Sequence, residues 1–199
     1  RLRVNCRNFA VLFISILRHH GVPARRRVGF AGYLPGRHWY THEIAEYWHR
    51  AEGRWVLVDP QNDGVTRAAQ REFFESLGQP ARARYDTLDL RPGVDFICGG
   101  EAWRRCRAGD ADPEEFRCGR WRGLPEVALT VLQDVDGLRK VERRSNESGF
   151  APAEALIPEM MALVERAAEV SMAPHRHFEA LRCCDGEGGG DDHDPPGDS

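Results

Sequence analysis

The sequence has no apolar run approaching the roughly 18–20 residues that a membrane-spanning helix needs, so no such helix is expected. Its six cysteines, Cys6, Cys98, Cys106, Cys118, Cys183 and Cys184, show no regular spacing and no CxxC pair. A chain of 199 residues does not need disulfide staples, and this usage fits a reducing cytoplasm. There is no DxDxDG-type loop for calcium. The run HEIAE, residues 42–46, places Glu46 where the zinc-protease pattern HExxH needs its second histidine. No metal and no cofactor are therefore expected. No internal repeat is present, and residues 185–199 lack Lys, Arg, aromatic and branched apolar side chains altogether.

What is present is globular in character: 41% apolar and 30% charged residues. If about 150 residues pack, roughly 68–70% of their unfolded surface can be buried, enough for a core. The net charge of -3 is unevenly spread, because residues 185–199 hold Asp185, Glu187, Asp191, Asp192, Asp194 and Asp198, leaving about +3 on the preceding part. That composition predicts a disordered acidic tail over 185–199. The chain starts at Arg1 rather than Met, directly before its first helix, and reads as an N-terminally truncated fragment. Oligomeric state is not legible.

In RVNCRNFAVLFISILRHHGVPAR, residues 3–25, a cysteine opens an apolar helix. Phe9, Leu12, Phe13, Ile16 and Leu17 recur at three- and four-residue steps and predict one buried face. Asn5 suits the N-cap, Gly21 the C′ position, and Pro23 prevents continuation. His19 and His20 suit the negative end of the helix dipole. Strands are predicted over Ala24–Phe30, His42–Trp48 and Arg54–Asp59. The polar residues 49–53 suit a five-residue hairpin loop. With Trp48 facing Arg54, His42 falls within one residue of a position opposite Asp59, and the two can meet across the hairpin. Helices are predicted over 65–79, from Gly99 to Arg107, over 124–142, and over 153–184 with breaks at Pro158 and Pro174. Residues 80–97 read as loop with short extended pieces. The division expected is a catalytic core at 1–64, a mainly helical continuation of the same domain at 65–184, and the tail. Helices flanking a small antiparallel sheet make the class α+β.

Cysteine attack requires thiolate, and a helix N-terminus favours the anion. A histidine can take and return the proton, and an aspartate can orient the imidazole. Cys6, His42 and Asp59 stand in the order and at the element ends that this chemistry requires, with backbone N–H groups of the helix start available to an oxyanion. Trp39 and Tyr40, on the loop before His42, are candidates for a substrate wall, and Gln61 for a hydrogen bond near the site. Arg25, Arg26 and Arg27 alternate sides on a strand, so they do not line one groove, and nucleic acid is not an expected partner.

The run NCRNFAVLFISILRHHGVPARRRVGF, then HEIAEYW, then GRWVLVDPQ resembles the catalytic core of the transglutaminase-like superfamily over residues 3–61. A weaker resemblance to bacterial transglutaminase-like domain proteins continues through FICGGEAWRRCRAG and DPEEF to about residue 142. The resemblance implies a papain-like cysteine protease fold, with Cys6 as nucleophile, His42 as base and Asp59 as orienter. It also implies action on a peptide or protein amide through a thioester, by hydrolysis or by transfer to an amine. The superfamily includes inactive members too, so a peptide- or partner-binding module is the alternative.

Overall fold

The computed structural model describes residues 4–34, 36–76, 78, 85–141, 156–177 and 181. The expected tail at 185–199, Cys183, Cys184 and parts of the helices expected at 65–79, 124–142 and 153–184 lie outside these residues.

Helix α1 spans Cys6–His19. Its start is fixed by a reciprocal capping box: the Asn5 side chain accepts from the Asn8 N–H, and the Asn8 side chain accepts from the Asn5 N–H at 2.9 Å. At the other end Gly21 adopts φ 73°, which a side chain would resist, and Arg18 donates to the Ala24 carbonyl. The buried face differs from the predicted one. Ala10 and Ile14 are buried, with Phe13 and Leu17 packed beside them against Ala24, Ala45, Tyr47 and Val58. Leu12 and Ile16 are 61% and 50% exposed. The helix therefore turns a smaller residue, Ala10, toward the sheet, and close approach of the backbones takes precedence over burying every apolar side chain.

Strands β1 (Ala24–Ala31), β2 (Trp39–His49) and β3 (Arg54–Val58) form an antiparallel group. The β2–β3 register is shifted from the predicted one: Trp48 pairs with Trp55 and His49 with Arg54. The loop is thus 50–53, with Gly53 at φ 62° donating to the His49 carbonyl. The shift has a large consequence, because side chains alternate faces along a strand. Pairing Trp48 with Arg54 would put Asp59 on the face opposite His42; the observed pairing puts both on one face.

After α2 (Gly64–Ser76) come β4 (Phe96–Cys98), α3 (Gly99–Ala108), β5 (Phe116–Cys118), β6 (Trp121–Arg122), α4 (Leu124–Leu138) and α5 (Pro158–Met172). The sheet is larger than the small antiparallel one expected, and it is mixed. Its path runs β4-β1-β2-β5-β6 with β3 also on β2, and β5 joins β2 in parallel. Trp39 and Tyr40 are accordingly the first residues of β2, paired with Phe116 and Arg117, not loop residues. Along that edge of β2, β5 pairs at Trp39–Tyr40 and β3 from Ala45 onward, and among the described residues 41–44 have no strand partner there. His42 stands in this gap. Opposite it on the other edge is Gly29, where a Cβ would lie 2.2 Å from the Ile97 carbonyl, so a side chain there would force β4 away.

The main core joins Phe30, Ile97, Trp103, Phe116, Val127, Val131 and Val164 from the sheet and helices α3, α4 and α5. Beside it, Arg27 is buried and fully engaged. Its guanidinium donates to both Asp134 carboxylate oxygens, at 3.1 and 2.9 Å, to Glu46 at 3.2 Å and to the Ser171 carbonyl at 2.8 Å. Asp134 also accepts from the Val28 N–H and the Ser171 hydroxyl. One desolvated pair thus ties α4 and α5 to β1 and β2. The neighbouring arginines are paired as well, Arg25 with Glu46 and Arg26 with Glu43.

Removing one member of such a pair strands the other charge. Asp134→Ala is therefore expected to lower unfolding stability by about 3–5 kcal/mol in urea titration. The double change Arg27→Met with Asp134→Leu should cost much less than this single substitution, and an equal or larger loss would contradict the assignment.

Candidate active site

Asp59 follows β3 directly, and its Oδ2 lies 2.8 Å from His42 Nε2. The two are diagonal neighbours: continuing the β2–β3 register sets Asp59 opposite Ile44, two positions along from His42. The Cys6 thiol, at the first position of α1, also lies within hydrogen-bonding reach of His42. Cys6, His42 and Asp59 are brought together.

Four groups besides His42 converge on Asp59 or flank it. The Tyr33 hydroxyl donates to Oδ2 at 2.6 Å, and so does the Asn62 amide at 2.6 Å. The backbone N–H groups of Gln61 and Asn62 donate to Oδ1 at 2.9 and 3.3 Å. Gln61 thus acts here through its main chain. Burial alone would raise the Asp59 carboxyl, but the hydrogen bond and charge of His42, with the Tyr33 and Asn62 bonds, hold it down at about 2. Burial likewise opposes charge on His42; hydrogen bonds to Asp59 and Cys6 and the charges of both outweigh it and raise the imidazole to about 10. Burial and the neighbouring Asp59 push the Tyr33 phenol well above its ordinary range, so it remains a donor. Its ring meets the His42 ring edge-on and stacks on Tyr85.

The other candidates are placed less centrally. Trp39 is half-buried, lies over Gly32 and stacks on Phe116 against the main core. Tyr40 is half-buried beside the His38 ring. Cys98, Cys106 and Cys118 are free thiols. Among the described residues no group of three His, Cys, Asp or Glu side chains could hold a metal, and no helix is long and apolar enough to cross a membrane.

Tyr33 and Asn62 were not singled out from the sequence. The spacing from Asp59 to residues 61 and 62 is that of an Asx turn, which could have flagged Asn62. For Tyr33 the signal was parity: Gly29 and Ala31 share His42's face, and Tyr33 continues that series.

A thiol at a helix start, an imidazole in a gap along a strand and a carboxylate at the next strand's end define a cysteine-centred site in an α+β fold. Residues 3–60 match the family model of the transglutaminase-like superfamily. No curated protein and no solved structure matches the chain.

A histidine held near 10 when folded and near 6.5 when unfolded stabilises fully below about 6.5, and the contribution is lost as pH rises to about 10. Asp59 works in the opposite sense: its contribution is present above about 3.9 and is lost as pH falls toward about 2. Urea unfolding is thus expected to show stability declining between pH 7 and 10 by up to roughly 1.4 kcal/mol per pH unit, with the slope reduced in His42→Asn. An unchanged slope in that variant would assign the decline to other groups.

Proposed function

We propose that this protein is a cysteine-dependent enzyme that cleaves amide bonds in peptides or proteins through a thioester on Cys6, with His42 as general acid and base and Asp59 as its orienter. The observation that carries this reading is the contact order Cys6, His42, Asp59, in which Asp59 takes Nε2 and so leaves Nδ1 as the ring nitrogen for the thiol. Such an arrangement corresponds to that of papain-like proteases, with the nucleophile at the start of a helix packed on a sheet.

In the first half of the reaction the Cys6 thiolate attacks the amide carbonyl carbon, forming a C–S bond, and negative charge develops on the carbonyl oxygen. The Cys6 N–H, at the open first turn of α1, is suited to receive that oxyanion. Collapse expels the amine, which takes its proton from the His42 imidazolium, and leaves the thioester. In the second half His42 removes a proton from water or from an acceptor amine as it attacks. The C–S bond breaks, releasing an acid or a new amide and restoring Cys6. Asp59, held anionic by its donors, stabilises the imidazolium throughout and fixes the ring orientation. Hydrolysis and transfer differ only in which nucleophile reaches the thioester. Trp39 and Tyr40, just before His42, and Gln61, just after Asp59, are proposed to border the substrate channel. The protein is proposed to work without a metal or cofactor.

Iodoacetamide alkylation of Cys6, mapped by mass spectrometry across pH, tests the pair directly. The parent chain should be alkylated at Cys6 already at acidic to neutral pH, and His42→Ala should lose this low-pH reactivity while circular dichroism shows it folded. With an amide substrate in hand, His42→Ala should lower kcat/KM by roughly 10²–10⁴ and Cys6→Ala should abolish turnover. If Cys6 reacts with the same pH dependence in both chains, the catalytic reading fails and a partner-binding module takes its place.

A further inference from the structure

At the far end of α1 from Cys6, roughly 18 Å along the helix axis, lies a cavity of about 730 Å³. Arg18, Arg25, Arg139, Lys140 and His175 line it, with Trp55 as its aromatic wall. The volume is that of a small-molecule site. Among the described residues no carboxylate lines it. Arg25 is neutralised by Glu46 and lies 4.0 Å over the Trp55 ring, but among the described residues no carboxylate pairs with Arg18, Arg139 or Lys140.

Two independent features set this cluster apart from a solvated basic surface. The Arg139 Nε is buried and has no hydrogen-bond partner among the described residues, an arrangement that costs stability unless something else supplies an acceptor. Lys140 is the one described non-glycine residue with positive φ, at 60°. It occupies the C′ position of α4 in a Schellman arrangement, where its N–H donates to the Gly137 carbonyl and the Val141 N–H to the Asp136 carbonyl. Glycine is the favoured residue there, and a lysine pays a conformational penalty that its backbone role does not explain. A strained residue on the lining of a cavity is a reason to look for a ligand.

We infer that this cavity is a second binding site, distinct from the Cys6 centre, for a multivalent anion bearing phosphate or clustered carboxylate groups. Arg18, Arg139 and Lys140 would hold the anionic groups, and Leu138, Pro174 and Trp55 would accommodate any apolar part. Such chemistry has two sources: a free anion, or the chain's own carboxylate run from Asp185 to Asp198, which begins four residues after the cavity-lining Leu181.

Inorganic pyrophosphate, titrated calorimetrically into the full chain, is the probe. One saturable site is expected, weakened at least tenfold by Arg139→Gln and by Lys140→Gly. Lys140→Gly should at the same time raise Tm by about 2–4 °C, because glycine relieves the backbone. Cys6 alkylation should be unchanged in both, which separates this site from the catalytic reading. A full chain with Asp185, Glu187, Asp191, Asp192, Asp194 and Asp198 changed to Asn or Gln distinguishes the sources. Tighter pyrophosphate binding by that chain identifies the acidic run as a competitor in cis; equal binding identifies a free anion. No saturable binding to either chain, or affinity unaffected by both cavity variants, would overturn the inference.

Discussion

Strand β2 carries three neighbours, β1 along one edge and β5 and β3 in turn along the other, and its pairing with β3 has to be correct to the residue. A slip of one position in a sheet moves every side chain of the strand to the opposite face. Here the same slip would separate Asp59 from His42 and turn Leu57 away from Ala31, Ile44 and Phe96, with which it packs. The register is held by several independent contacts: the four-residue turn closed on His49, the edge-on Trp48–Trp55 pair, and the alternating burial of Val56, Leu57 and Val58 on both faces. Hydrophobic packing and site geometry therefore select one register, and the site inherits its precision from the core.

The same face of β2 carries two buried ionic groups separated by Ile44: Glu46 with Arg25 and Arg27, and His42 with Asp59. Their bonding differs in a way that matters. Arg27 and Asp134 exhaust each other's hydrogen-bonding capacity with backbone and hydroxyl partners, as a purely structural pair must to offset desolvation. His42 keeps one ring nitrogen out of the carboxylate bond, and the Cys6 thiol lies within hydrogen-bonding reach of its ring. Position along the strand also differs. Glu46 lies where β3 covers the edge, whereas His42 lies in the gap between β3 and β5. A sheet paired continuously along β2 would have closed that gap with backbone.

Local chemistry made much of this legible. Asn5, Gly21 and Pro23 bounded α1, and the alternation in residues 42–48 and 54–59 marked the hairpin, because caps and pleats are decided within a few residues. The register was misread by one because the loop length decides it, and His49 is as compatible with a strand end as with a turn. The outward turn of Leu12 and Ile16 was not legible, since periodicity gives an apolar stripe but not how closely its helix can approach a neighbour. Arg27 and Asp134 are 107 positions apart, and no local pattern couples them. Strands β4, β5 and β6 are two or three residues long, too short to show a period.

Two acids show what decides charge at this site. Asp59 and Glu126 are each 2% exposed, yet Asp59 is held at about 2 while Glu126, on the first turn of α4, is pushed up to about 7. Burial raises both, so burial is not the difference. Asp59 receives two backbone N–H groups, a phenol, an amide and an imidazole, whereas among the described residues Glu126 has the hydroxyls of Thr41 and Thr130 and no cation as partners. Donor number, supplied largely by the turn after β3, is what keeps the carboxylate beside His42 ionised. Thr41 and His42 are adjacent on β2 and point to opposite faces, so the strand separates an acid that is anionic at neutral pH from one that is partly protonated there. The anion lies on the side where an imidazolium has to be stabilised, and the opposite acid adds less than a full charge against it.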